Sequence, residues 1–175
     1  SGFRVRSDQD GRYALLASTT SYSLLIYGPM SVQLLGISSG SDIAALECLA
    51  GAAGFFVPFW MTSDRDVTKG GALAYTTGGG FGALHGALFG LVLYGDASMP
   101  DRLLPGLVLG GSLAEGIGGY YLAGRLGLTE GRVGLASSGA LWGTVWALEG
   151  MAVISRSSNS RGMGSALLAG SFGFT

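Results

Sequence analysis

A chain of 175 residues with 10 basic and 11 acidic residues, a formal charge of -1 and 33 glycines can form one domain with a sizeable core. It offers nucleic acid no electrostatic footprint, globally or in any local run of Lys or Arg. Only 4 prolines and no third-residue glycine period exclude collagen, and 48% apolar against 12% charged residues excludes disorder.

The charges are set apart from the apolar residues. Apolar stretches run over 13–37, 43–62, 70–94, 103–124 and 133–155, and a sixth begins near 162; only Glu47, Glu115 and Glu149 carry charge inside them. Each of the first five is about 20 to 25 residues, the length with which a helix crosses a hydrocarbon core of about 30 Å. A water-soluble amphipathic helix of that length carries Lys and Glu along one stripe. These stretches carry Gly, Ala, Ser and Thr instead. A soluble bundle of tightly packed core helices is the competing reading, but five or six such helices in so short a chain cannot all be central.

In the first stretch Pro29 follows Gly28, and in the second Pro58 follows Val57, so a kink or break is predicted at each. Ser41 with Asp42, Ser98 with Pro100 and Asp101, and Thr129 with Glu130 are predicted helix N-caps. The connector from Thr62 to Lys69 is short, which makes its flanking helices antiparallel neighbours. Cys48 is the single cysteine, so no internal disulfide can form.

The third stretch places Gly78, Gly82, Gly86 and Gly90 at every fourth position, one face of a helix open to close approach by another backbone. The fourth repeats the spacing with Gly106, Gly110, Ala114 and Gly118, and the fifth with Gly139, Gly143 and Ala147. This is the glycine-zipper pattern of membrane helices.

Laid on itself, the chain repeats. Thr68-Lys69-Gly70 through Phe81-Gly82 matches Thr129-Glu130-Gly131 through Trp142-Gly143 at a shift of 61 residues. A fainter earlier copy sets Ser18-Thr19 beside Thr76-Thr77 and Tyr27-Gly28 beside His85-Gly86. In the partner helices Gly54-Phe55-Phe56-Val57 resembles Gly119-Tyr120-Tyr121-Leu122, and Leu109-Gly110-Gly111-Ser112-Leu113 resembles Leu168-Ala169-Gly170-Ser171-Phe172. The fold expected is therefore all-α: antiparallel transmembrane hairpins in repeats of about 60 residues, packed through glycine-zipper faces. The units are 13–67, 68–128 and an incomplete 129–175 within one domain spanning 1–175, which implies that the natural chain continues.

The sequence holds no catalytic constellation. Ser21, Ser112, Ser137 and Ser138 have no His-Asp partners in a known motif, and Gly78 to Gly82 lacks the Lys-Ser/Thr ending of a phosphate-binding loop. His85 is the only histidine, its repeat counterparts are Tyr27 and Trp146, and a polar aromatic slot fits that set better than a metal ligand does. No cofactor or metal is expected. Intramembrane carboxylates are costly and mark ion pathways, so Glu115 and Glu149 are candidates for one. A hairpin with one small-residue helix and a carboxylate on the other resembles the rotor-ring subunits of proton-driven ATPases, in which that carboxylate carries the proton. This chain departs from them: Glu47 and Glu115 do not align within their repeats, and Glu149 lies on the opposite helix type.

The function expected is a non-catalytic integral membrane scaffold or anchor subunit of a larger envelope assembly. Its partners would be the bilayer and other membrane subunits or copies of itself, without nucleic acid. The alternatives are an ion- or proton-conducting subunit and a soluble or extracellular self-assembling helical repeat. With five spans, Arg4, Arg6, Arg12, Arg65, Lys69, Arg125 and Arg132 share one side against Arg102, Arg156 and Arg161, which sets the N-terminus in the cytoplasm.

Overall fold

The computed structural model describes residues 9–94, 98–154 and 160–173, so Arg4, Arg6 and Arg156 of the orientation argument lie outside the described residues. Among the described residues all regular structure is helical and no strand is present. In chain order the helices are α1 (Gln9–Tyr22), α2 (Gly28–Leu35), α3 (Gly40–Met61), α4 (Lys69–Tyr94), α5 (Leu103–Leu126), α6 (Glu130–Ile154) and α7 (Ser160–Gly173). A π-helical turn, Ser23–Tyr27, joins α1 to α2.

That turn is where Pro29 acts. Its ring crowds the carbonyl four residues back and it has no N–H to give, so the chain widens and the Gly28 N–H reaches the Ser23 carbonyl. At Pro58 no break occurs: α3 runs on to Met61, and Thr62 closes the end by donating its N–H (3.0 Å) and hydroxyl (2.6 Å) to the Pro58 carbonyl. Proline removes only the rung that residue 58 would make to the Gly54 carbonyl, and the rungs on either side hold the helix through it.

The caps differ from expectation in two of three places. Ser39 and Arg102 hold the N-cap positions of α3 and α5 without a side-chain cap, and Asp42 falls in the first turn, where negative charge suits the positive helix end. Thr129 does face the start of α6, with the Arg132 N–H 3.5 Å from its hydroxyl, and Thr68 does the same for α4 by accepting from the Gly71 N–H at 3.0 Å. Gly36 and Gly127, with φ of 70° and 60°, end α2 and α5 in the left-handed conformation that closes a helix.

Helix α4 is the centre, in contact with α1, α5, α6 and α7. Small residues share the interior with Leu15, Leu16, Val67, Leu88 and Leu167, while many large apolar residues are exposed. The interior holds Ala72, Ala74, Ala123 and Ala140 together with Gly70, Gly79, Gly82 and Gly86, while Trp60 is 79% exposed and Leu135 76% exposed. Leu49, Phe56, Trp142 and Trp146 also face outward. Among the described residues two helices, α3 and α4, are long and apolar enough to cross a membrane, fewer than the five spans expected from the sequence.

Candidate functional site

The α4–α5 contact is made by main chain. A methyl group on Gly78, Gly82 or Gly86 would fall on the carbonyls of Glu115, Gly111 and Leu107, and one on Gly111 would fall on the Gly82 carbonyl. The partner numbers descend by four as the α4 numbers rise by four, so the two helices run antiparallel. Gly90 lies instead beside the end of the flexible Met99 side chain.

The face that α5 turns to α4 is thus Leu107, Gly111 and Glu115, followed by Gly116 and Gly119 against Tyr75, Gly79 and Ala74. The row Gly106, Gly110, Ala114 and Gly118 lies beside it and does not meet α4. Methyls at Gly110 and Gly118 would meet open space, Ala114 is exposed, and the nearest neighbour of a methyl at Gly106 is the Leu34 side chain, 3.8 Å away. A four-residue spacing selects a face, but where adjacent rows are both small it cannot choose between them. On α6, Gly143 is buried with its carbonyl under Gly170 of α7, and Gly139 is half-buried.

Around this seam the structure gathers polar side chains that lie far apart in sequence. His85 of α4 places Nδ1 2.7 Å from Glu115 Oε1 of α5 and Nε2 2.7 Å from Ser171 Oγ of α7. The Phe172 ring stacks on the imidazole with centroids 4.2 Å apart, and Phe81 covers it from one turn earlier on α4. His85 and Ser171 are buried, whereas the Glu115 side chain keeps 33% of its surface open. All three line a cleft of about 450 Å³ between α4, α5, α6 and α7, walled by Ala74, Leu122, Ala136 and Ala140.

Proton counting limits what this cluster can be. Ser171 Oγ also lies 2.9 Å from the Leu168 carbonyl, its acceptor within α7. A hydroxyl has one hydrogen; when it points to Leu168, the proton bridging to His85 must sit on Nε2. One further proton then lies between Nδ1 and Glu115, as a neutral pair or as imidazolium and carboxylate, and the cluster is neutral either way. Turning the Ser171 hydrogen onto Nε2 instead leaves Nδ1–H donating to a carboxylate, with a net charge of minus one. The two arrangements differ by one proton.

A related joint lies one seam earlier. Tyr27 OH stands 3.3 Å from Ser112 Oγ and 3.2 Å from Tyr75 OH, and the fully buried Ser112 donates to the Gly79 carbonyl at 2.8 Å. Ser18 and Thr76 share a hydrogen bond of 2.6 Å, and Tyr22 donates to the Thr76 carbonyl. Lys69 and Asp10 pair at 3.1 Å at the exposed end of the same seam.

The two carboxylates named for an ion pathway are not brought together: Glu115 meets His85, and Glu149 is exposed on α6. Glu47 lies against Gly28, within its own helix pair. Among the described residues no three of His, Cys, Asp and Glu converge as a metal site would require. Sequence reasoning missed Ser171, although the signal was present: Ser171 aligns with Ser112, and His85 with Tyr27. Compared with protein-family models, curated proteins and solved structures, the chain finds no match.

Two measurements check this geometry. Gly111→Ala is expected to lower stability by about 1 to 3 kcal/mol through overpacking against Gly82. Its neighbour Gly110→Ala should be neutral or stabilising by up to about 1 kcal/mol through helix propensity; thermal melts in detergent that rank the two alike would contradict the register. Ser171→Ala leaves His85 Nε2 buried without its partner and should cost about 1 to 3 kcal/mol, while Ser138→Ala, an exposed serine bonded only to the Gly134 carbonyl of its own helix, serves as the silent control in the same melts.

Proposed function

We propose that this chain is a non-catalytic membrane scaffold subunit, built of antiparallel helical hairpins that repeat every 60 residues or so and pack through glycine faces. The observation that carries the reading is the inverted distribution of side chains. Glycine and alanine are prominent in the interior beside Leu15, Leu16, Val67 and Leu88, and many Leu, Phe and Trp residues face outward, as lipid favours and water does not. Inside a bilayer there is no hydrophobic drive to bring helices together, so packing rests on dispersion contact and on polar groups that find each other. Bare backbone at Gly78, Gly82 and Gly86 lets two helices approach until carbonyl oxygens touch α-carbons, a geometry that also admits weak Cα–H···O contacts.

The polar joints support the repeat reading. Tyr27 and His85 hold corresponding positions in the first helices of successive hairpins, and each reaches a serine, Ser112 or Ser171, on the second helix of the next hairpin. A residue that does the same joining work as a tyrosine is primarily structural.

Extraction and packing tests address the proposal directly. Membranes washed with carbonate should retain the chain until detergent is added, and recovery in the wash would favour the soluble repeat instead. Gly82→Leu with Gly86→Leu places two side chains inside the α5 main chain and should abolish the folded, membrane-retained form; accumulation at the parent level would overturn the packing argument.

The His85–Glu115 pair favours one second reading, proton handling through Glu115, because its two hydrogen-bond arrangements differ by a single proton. Glu115→Gln should then abolish proton flux in reconstituted vesicles while the helical fold is kept, and a parent protein without flux would dismiss this reading.

A further inference from the structure

We propose that the cleft between α3 and α5 holds one acyl chain of a zwitterionic phospholipid, whose headgroup sits in a polar hollow at the mouth of that cleft. The inference rests on the membrane reading above and names a ligand for it.

Helix α1 packs on α3 and on α4, and α4 packs on α5, which leaves a cleft of about 350 Å³ floored by α1 and α4 and flanked by α3 and α5. It runs from Leu15 and Met61 at one end to Tyr27 at the other. At a rise of about 1.5 Å per residue the stretch from Leu15 to Tyr27 is roughly 18 Å long, which gives a mean cross-section of roughly 20 Å². A helix, about 10 Å across, cannot enter so narrow a slot. Single-file methylenes, whose carbons touch their surroundings at about 3.5 to 4.0 Å, fill it.

The lining suits a hydrocarbon. Ala53 and Val57 of α3 face Leu113 and Ile117 of α5 across it. Its hydroxyls are already engaged: Thr19 donates to carbonyls of its own helix, Thr62 to the Pro58 carbonyl, and Tyr27 stands beside Tyr75 and Ser112. A bound water needs about two to four polar partners, and these walls offer it mostly carbon. The same cleft is written again in the next repeat, where Thr77 and His85 answer to Thr19 and Tyr27, and Gly119 and Leu122 to Gly54 and Val57. That second cleft also holds Glu115; the first is lined by no carboxylate or imidazole.

At one end the cleft meets a polar surface. Tyr120 and Tyr121 line both the cleft and a hollow of about 260 Å³ that includes Asp66, Thr68 and Arg125, where α4 begins and α5 ends. Arg125 and Asp66 give this hollow one charge of each sign, the complement of a phosphate and an ammonium carried by one headgroup. The two tyrosines stand where tail gives way to head, the level at which amphipathic rings sit in a bilayer.

Photo-crosslinking tests the site. The full chain is reconstituted with phosphatidylethanolamine carrying a diazirine in one acyl chain, and labelled peptides are mapped by mass spectrometry; label is expected on Val57 and Ile117. Ala53→Trp fills the cleft from an exposed position and should lower labelling of Ile117 roughly tenfold, whereas Leu49→Trp, outside the cleft on the same helix, should leave it unchanged. Ile117→Trp closes the slot from the other wall and is read at Val57, should Ala53→Trp fail to fold. Asp66→Asn should erase the preference over a phosphatidylglycerol analogue, which lacks the ammonium. Label spread evenly over outward-facing residues, labelling of Ile117 untouched by Ala53→Trp, or equal labelling of the parent chain by both lipids would each overturn the proposal. A chain retained in carbonate-washed membranes with evenly spread label keeps the scaffold reading and loses this one; a chain released by the wash with phospholipid still in the cleft does the reverse.

Discussion

The structure depends on main-chain carbonyls of α5 resting on α-carbons of α4. At Gly78, Gly82 and Gly86 there is no room for even one methyl group, and the atoms that forbid it belong to backbone, which cannot rotate away. Such a contact fixes the relative height of two helices, because sliding along the axis would carry the glycines away from the α5 carbonyls that no other residue there can accommodate. Register is specified here by the absence of side chains.

Once α4 and α5 are fixed, the polar groups follow. Ser112 is held over the Gly79 carbonyl because Gly111 beside it is pressed on Gly82, and Tyr27 can then reach it from the preceding helix. The same order of cause runs through the next seam, where Gly170 rests on the Gly143 main chain and Ser171, one residue on, meets His85. Each hydroxyl sits next to a glycine in sequence, so close packing and hydrogen bonding are coupled by one peptide unit. The Glu115 carboxyl enters that arrangement from α5, beneath the imidazole, at a residue whose own carbonyl lies on Gly78.

Much of this was legible in the residues. Charges set toward the ends of the apolar stretches located the helices to within a few positions, whereas Gly36 and Gly127, which end α2 and α5 at positive φ, were not singled out. The α5 register was not legible. Gly106, Gly110, Ala114 and Gly118 form as regular a row as the one on α4, and only the three-dimensional placement of Leu107 and Gly111 reveals that the adjacent face is used. Caps misled where a side chain was not needed: the connector ahead of α5 turns through the Leu103 N–H and the Pro100 carbonyl, at 2.9 Å, so Asp101 has no cap to make. Pro29 was read correctly as a disturbance but not as a π turn, because sequence tells that a rung is lost without telling how the chain redistributes it.

The His85 cluster shows why sequence alone could not rank its two interpretations. Its three members are separated by 30 and 86 residues, and no local motif binds them. Read by chemistry, a serine, an imidazole and a carboxylate in a row invite a reactive assignment; read by position, the imidazole joins helices through a serine, as Tyr27 does in the earlier joint. Position is the stronger argument, because it accounts for both joints with one cause, whereas reactivity accounts for one and leaves Tyr27 and Ser112 unexplained. The carboxylate is what the earlier joint lacks. A histidine buried in that slot has two nitrogens to satisfy where the tyrosine has one hydroxyl, and Glu115 supplies the second partner.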